Sequence, residues 1–569
     1  MGLKAIGRLT LAILLGATAW LAATAAPQRA PAPGAETTNW LATHSLAIDH
    51  DELFVDADAG RFRAVFGEGP QGVRTDPHGG RLEAPYLATR AWSWALAVAG
   101  ERGPFLLNAL AFALAAVAGC RALTAALGAA APLWIGLLLY GSVAFTAVFR
   151  WQSEVLVFAA VVVAGALVWG REAPTVVDRG PDQIYGGDLR ARAALWPWPI
   201  AGLLVGAAAV RHPAYLLIAL PMLIDLPPAP HAADPGGPGD VRGGQRGGGR
   251  WRAGALFVLP LLLPLGCVFA LQGAPWEAPA TLFHPALLGW NVLYLAVGRN
   301  AGLLVGFLPV VVLLLSARPT GGRRYLPLVV GLAAVAQLLL APFDWAGELQ
   351  AVGNPYFLPL YGALLFCAGP TLRLRAAPLV AVAALPFMAP FWIAPLSDGT
   401  RPPAELAPFT AQIRERLPFE TSLREVPGGT EIVRANVRLR AAGPAIRPSG
   451  GRLALAGAHA TVLVESDRPL TSVRLDFSPN APATLAVDGG TTGSTTFRPS
   501  GEVGFEIGLG RPSRRHPLWW SREPVSIYLL GLAIPEASRM TAQGQKGAPA
   551  PVTFDLGLAR VAGPEAGRP

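Results

Sequence analysis

Apolar residues arrive in long blocks up to about residue 396, and after that they alternate with polar ones. The blocks cover 5–26, 104–126, 131–149, 153–169, 195–210, 213–225, 253–271, 302–316, 326–342, 355–369 and 377–396. A helix crossing a bilayer upright needs about 20 apolar residues, and a number of blocks are a little shorter. They predict a polytopic α-helical membrane domain of about eleven spans over 1–396. One further apolar stretch, 84–100, contains Arg90 and follows loop-like sequence. It is read as a helix lying at the membrane interface, with Trp92 and Trp94 at headgroup level.

Beyond Leu396 the period changes. Residues 429–441, 452–466, 470–478, 482–488, 502–509 and 523–533 alternate with period two and are separated by Gly, Pro, Asn and Asp. That pattern predicts a C-terminal all-β domain over 429–569, an antiparallel sandwich or jelly roll. A linker over 397–428 joins the two, with a connecting helix at 404–424.

Composition fits this division. Of 569 residues, 52% are hydrophobic and only 15% are charged, against about 25% charged in soluble domains. The net charge of +9 comes almost wholly from arginine, since Lys4 and Lys546 are the only lysines. With the N-terminus placed in the cytoplasm, every inner loop is basic: 170–194 (Arg171, Arg179, Arg190, Arg192), 226–252 (Arg242, Arg246, Arg250, Arg252), 317–325 (Arg318, Arg323, Arg324) and 370–376 (Arg373, Arg375). This is a topology signal rather than a nucleic-acid surface. Counting 84–100 as a span would invert every later loop and lose the agreement. Residues 5–26 have the look of a signal peptide as well as of a first span, and the many spans that follow favour retention. Cys120, Cys267 and Cys367 lie within apolar blocks and read as core residues.

The outer segments are then 27–103, the turns at 150–153 and 211–212, 272–301, 343–354, and everything after 396. Glu36 to Asp58 holds six acids, including Asp49/Asp51 and Asp56/Asp58 as Asp-x-Asp pairs. A transferase needs a carboxylate to take the proton of its nucleophile, and Asp49, Asp51 and Glu36 are the candidates. Asp49, Asp51, Asp56 and Asp58 are also the acids to hold a divalent cation, Mg or Mn, if the chemistry uses one. The bland reading is a solvated acidic loop. Arg150 suits a phosphate or an acid partner, and Glu154 starts a span where the helix dipole favours it. Arg211 and His212 share the next outer turn. Arg299 and Asn300 lie in a Gly-flanked turn before a span, and Asn354 and Tyr356 enter another; the bland alternatives are tight turns and helix entry. The β-domain carries Trp519 and Trp520, which serve either to stack on sugars or to pack the core. No P-loop, GxGxxG, HExxH or GxSxG motif is present.

Taken together, the layout over 1–396 resembles the GT-C superfamily of integral-membrane glycosyltransferases, in particular the polyprenyl-phosphate-sugar-dependent protein mannosyltransferase and aminoarabinose transferase type. That resemblance implies inverting sugar transfer at the outer face of a bacterial inner membrane. The donor it implies is a polyprenyl-phosphate sugar, the acceptor a glycan, lipid or protein. It implies a carboxylate base in the first outer loop, where Ala35-Glu36 stands in place of the usual Asp-Glu pair. Arg211, His212, Arg299, Asn300, Asn354 and Tyr356 fall in loops where such enzymes hold donor phosphate and sugar. Two other classes compete, a lipid-linked-sugar transporter or flippase and a non-catalytic glycan-binding assembly protein. Polar groups gathered on one face, with no inverted repeat, speak against transport.

Overall fold

The computed structural model describes residues 2–31, 35–67, 69–70, 73–75, 80–170, 195–226, 248–272, 285–298, 301–315, 319–341, 345–346, 353–369, 372, 376–396, 417–418 and 420. In the C-terminal part it describes 431–434, 437–442, 446–449, 452–455, 459–466, 469–480, 484–490, 493–497, 503–510, 513–515, 525–534 and 554–562.

The N-terminal part is helical. Its helices are α1 (Leu3–Thr24), α2 (Ala35–Ile48), α3 (Asp56–Phe66), α4 (Tyr86–Ala99), α5 (Gly103–Leu127), α6 (Ala131–Tyr140), α7 (Glu154–Trp169), α8 (Pro197–Arg211) and α9 (Ala219–Ile224). They continue with α10 (Gly248–Gln272), α11 (Pro285–Val297), α12 (Leu303–Gly306), α13 (Pro309–Leu315), α14 (Leu326–Leu340), α15 (Leu358–Leu364) and α16 (Ala376–Ile393). Among the described residues, five helical stretches are long and apolar enough to cross a membrane: Leu3–Gln28, Tyr86–Tyr140, Gly254–Leu271, Gly321–Leu340 and Ala376–Ile393. Shorter apolar helices stand at Glu154–Trp169, Pro197–Arg211, Pro213–Ile224, Leu288–Val297 and Pro355–Cys367. Leu110, Leu114 and Val117 on α5 point outward at helical spacing. Bare apolar rows of this kind are unfavourable in water and at no disadvantage in hydrocarbon.

Several blocks are broken rather than continuous. The 131–149 block is α6 followed by the 3₁₀ segment Val143–Phe149, which is buried throughout. The 302–316 block divides into α12 and α13, and 355–369 is a short α15 between two 3₁₀ turns. Residues 285–297, expected as outer loop, form the apolar helix α11. The acidic stretch expected as loop is largely helix: α2 is buried along most of its length and α3 follows it. Trp94 on α4 is exposed, but Trp92 is fully buried, its Nε1 donating to Asn108 Oδ1 at 2.9 Å. An indole at headgroup level would have spent that proton on water instead.

The loops sort to two ends, as alternating spans require. At one, Asp225 accepts from Trp169 Nε1 at 2.9 Å and from Gly322 N at 2.7 Å, joining the ends of α7 and α9 to the turn before α14. At the other, residues 29–39, 149–154, 211–215 and 353–356 converge.

Close packing of α8 on α10 depends on Gly202 and Gly206, four residues apart on one face. A Cβ on Gly202 would lie 2.1 Å from Phe257 O, and one on Gly206 would lie 2.1 Å from Leu261 O. Small residues at this spacing let helix backbones touch in a membrane.

The C-terminal part is antiparallel. One sheet runs β1 (Glu431–Arg434), β2 (Val437–Ala442), β5 (His459–Ser466), β11 (Val525–Ala533), β7 (Leu485–Gly490), β8 (Gly493–Phe497), with β10 (Ser513–Arg515) also on β11. The other runs β3 (Ile446–Ser449), β4 (Arg452–Leu455), β12 (Phe554–Ala562), β6 (Ser472–Pro479), β9 (Val503–Gly508). Val462 and Val464 of the first and Val473, Leu475 and Phe477 of the second share one core. Stretches expected as single strands at 429–441 and 452–466 are each two strands, and β4 and β5 belong to different sheets. The linker helix at 404–424 lies almost wholly outside the described residues, as do Trp519 and Trp520. Glu420, buried, accepts from Ala301 N at 2.8 Å and so ties the linker to the helical part.

Gly202→Val should destabilise the detergent-purified protein by ~1–3 kcal/mol, the usual range for overpacking. Gly331→Val, with nothing within 4 Å of its Cβ, should cost far less. Thermal unfolding of the two variants side by side checks this; equal losses would mean that α8 and α10 are not in backbone contact.

Candidate functional site

Glu36 stands in the first turn of α2, where the helix dipole favours an acid, and its side chain is buried. Arg150 Nη1 is 3.6 Å from Glu36 Oε1, and both side chains are 4% exposed. Arg29 Nη1 donates to Glu36 Oε2 at 3.4 Å and to Phe149 O at 3.5 Å. A buried ion pair is costly to desolvate and needs further hydrogen bonds to hold its geometry. Here those bonds grip the backbone on both sides. Asn39 Nδ2, one helical turn after Glu36, donates to Trp151 O at 2.7 Å. Asn108 Nδ2, in the second turn of α5, donates to Arg150 O at 3.2 Å and to Val148 O at 3.4 Å.

The same turn leads into a second cluster. Glu154 begins α7, and its Oε1 accepts from Arg211 Nε at 3.0 Å. Arg211 Nη2 donates to Tyr356 Oη at 3.3 Å, and the guanidinium lies 5.0 Å from the Tyr356 ring centre. Tyr215 Oη and Gln337 Nε2 both donate to Tyr356 O, at 2.7 and 3.2 Å. Asn354 Oδ1 caps the 3₁₀ turn by accepting from Phe357 N at 3.0 Å. Its buried Nδ2 and the Oγ of Ser153 have no hydrogen-bond partner among the described residues. Three arginines against two glutamates leave these joined clusters net positive, which suits an anion.

His212 sits in the turn after α8, with Nδ1 accepting from Ala214 N at 3.3 Å. That bond needs an unprotonated Nδ1. Burial and the neighbouring Arg211 charge push its pKa from 6.5 down to about 4, in the same direction.

The aspartates are placed differently. Asp49 is about one-third exposed and paired with Arg61, which also pairs with Asp58. Asp58, buried, accepts from Val55 N at 2.9 Å and so serves as a helix cap, while Asp56 is exposed. Asp51 Oδ1 accepts from Ser45 Oγ and Leu53 N at 2.8 and 3.1 Å. Among the described residues no three His, Cys, Asp or Glu side chains gather to hold a metal ion. With Asp49 and Asp58 taken by Arg61, these acids do not fit a divalent cation. Arg299 and Asn300 lie outside the described residues.

The structure therefore brings together Glu36, Arg150, Glu154, Arg211, His212, Asn354 and Tyr356, while Asp49, Asp51 and Asp58 have partners outside this group. Arg29, Asn39, Asn108, Tyr215 and Gln337 enter the site without having been singled out. A lone Asn108 and a lone Gln337 inside apolar blocks were the signal for two of them, since unpaired amides are unfavourable in hydrocarbon.

No protein-family model and no curated protein matches this sequence. Among solved structures the chain is similar to the crystal structure of ArnT from Cupriavidus metallidurans bound to undecaprenyl phosphate, at 14% identity and a TM-score of 0.37. The match covers 71% of this chain, and the chain spans 62% of the length of that structure.

Because His212 is buried as the neutral ring, stability should be full above pH 6.5 and decline as pH falls towards about 4, where the unfolded chain binds a proton the folded one refuses. His212→Asn keeps an acceptor for Ala214 N and should flatten this decline. Unfolding midpoints across that window test it, and parallel slopes for wild type and variant would refute it.

Proposed function

We propose that the chain is a membrane glycosyltransferase of GT-C type. It moves a sugar from a polyprenyl-phosphate donor to a hydroxyl acceptor at the outer face of a bacterial inner membrane, with inversion. The N-terminus is then cytoplasmic and the β-domain periplasmic. The observation that carries this is the buried Glu36 between Arg29 and Arg150, joined by one turn to Glu154–Arg211–Tyr356. A transfer of this kind needs a carboxylate beside a set of fixed cations.

Glu36 accepts the proton of the acceptor hydroxyl as its oxygen attacks the anomeric carbon. The bond from that carbon to the phosphate oxygen breaks on the opposite side, and the electron pair leaves with the polyprenyl phosphate. Arg150 and Arg211 meet the charge that develops there, with Tyr356 setting the Arg211 fork. Asn354 Nδ2 supplies a neutral donor to the sugar. Asp49 and Asp51, tied to Arg61 and to the Ser45 turn, are not used in this scheme, and no step passes through a metal. The lipid tail remains among the helices, and the β-domain faces the acceptor.

In proteoliposomes given polyprenyl-phosphate sugars, wild type should release polyprenyl phosphate. Glu36→Gln should lower kcat by about 10²–10⁴-fold, the usual worth of a general base. Arg211→Gln should lower kcat/KM, and Asp49→Asn should stay near wild type. Loss of turnover on Asp49→Asn with Glu36→Gln active would move the base elsewhere. No release by wild type with any such donor, together with movement of the intact donor across the bilayer, would replace the transferase with a flippase.

A further inference from the structure

At the far end of α2 from Glu36, about 15 Å along the helix axis, lies a cavity of about 210 Å³. Asp51, Glu52, Arg81, Arg90 and His50 line it. It is held open by built structure. Leu82 N donates to Glu52 O at 2.8 Å and Phe54 N to Gly80 O at 2.9 Å, pairing the two segments that form its walls. His50 has φ of 61°, the one positive value at a non-glycine among the described residues. Such a conformation is unfavourable for a side chain and persists only where the surroundings enforce it.

The cavity's charges are arranged in both signs. Asp51 is fixed by Ser45 Oγ and Leu53 N on Oδ1 alone, so among the described residues Oδ2 takes no hydrogen bond. Arg81 donates through Nε, at 2.8 Å, and Nη2 to Glu52 Oε2. Arg90 Nη2 is 4.0 Å from Glu52 Oε1, and its guanidinium lies 4.8 Å from the Tyr86 ring centre. Half of Arg90 remains exposed. Arg90 also shares a face of α4 with Leu87, Trp94 and Val98, at spacings of three and four residues, and these are exposed too, Trp94 to 77% and Val98 to 87%. The cavity thus opens beside an uncovered apolar row.

We infer that it binds the headgroup of a zwitterionic aminophospholipid, a phosphoethanolamine. The phosphate sits on Arg90, the ammonium on Asp51 Oδ2, and the acyl chains run along Leu87, Trp94 and Val98. A purely anionic headgroup would meet Asp51 and Glu52 as like charges. A choline headgroup brings a cation with no N–H to give Asp51. The bound lipid fastens the segment between α1 and α5 to the outer leaflet.

The test is lipid retention by the full-length protein in detergent, measured by native mass spectrometry with phosphatidylethanolamine, phosphatidylcholine and phosphatidylglycerol. Wild type should retain the ethanolamine lipid about tenfold better than the other two, the worth of one charge-assisted hydrogen bond. Asp51→Asn keeps an Oδ1 acceptor for Ser45 and should erase that preference. Arg90→Gln should weaken all three lipids, and Asp49→Asn should change none. Equal retention of the three by wild type overturns the assignment, and so does an Asp51→Asn variant that keeps the preference. The wild-type ranking decides the matter if a variant fails to fold. No sugar donor is involved, so the outcome is independent of whether the chain transfers sugar.

Discussion

Burying Arg150 against Glu36 is a demanding arrangement, with both side chains 4% exposed. Two ions out of water cost several kcal/mol each before their attraction is counted, and only good geometry with extra hydrogen bonds recovers that. Much of the surrounding structure can be understood as that geometry. The α2 dipole supports the carboxylate, Arg29 shares it, and Asn39 and Asn108 fix the carbonyls on either side of the arginine. The pair also joins distant parts of the chain. Glu36 belongs to the segment after α1 and Arg150 to the turn between the third and fourth blocks, so the segment after α1 is fastened down where it meets the bundle. Trp92 and Trp151, packed edge to face at 5.8 Å, close the space above.

The opposite end of the bundle uses a different device. Asp225 gathers an indole and a backbone amide, and Gly322 is required because a Cβ there would lie 2.1 Å from Pro221 O. One end is thus held by neutralised charges and the other by close backbone contact.

Much of the helical layout was written in the block pattern, because hydrocarbon imposes a length on every span. The breaks inside blocks were not. At Gly141-Ser142 the apolar run continues while the helix stops, since hydropathy records burial and not backbone geometry. The site was legible in part. Arg150, Glu154 and Arg211 declared themselves as charges at the ends of apolar runs. The first outer segment misled in a particular way. Its Asp-x-Asp pairs drew attention because acids in series look like ligands, yet the structure spends Asp58 on a helix cap and Asp49 on Arg61. That Glu36 faces Arg150 depends on the rotation of α2, and a helix with polar residues at Glu36, Thr37, Thr38 and Asn39 gives no periodic hint of it. In the β-domain, alternation marked the cores of the strands but could not reveal that one long run such as 452–466 changes sheets at its middle.

That change of sheet has a kinetic meaning. The chain passes from one sheet to the other between β2 and β3, β4 and β5, β5 and β6, β6 and β7, β8 and β9, β9 and β10, and β11 and β12. Neither sheet is a continuous length of polypeptide, so the strands of the two are interleaved along the chain. Strand β12, the last in sequence among the described residues, sits in the middle of its sheet between β4 and β6, and that sheet cannot close until β12 has emerged. Pairing at such sequence separations is slow, because loop closure must come before any gain from contact. That sheet therefore closes only once β12 has been made, and until then the apolar faces of β4 and β6 lack their central neighbour.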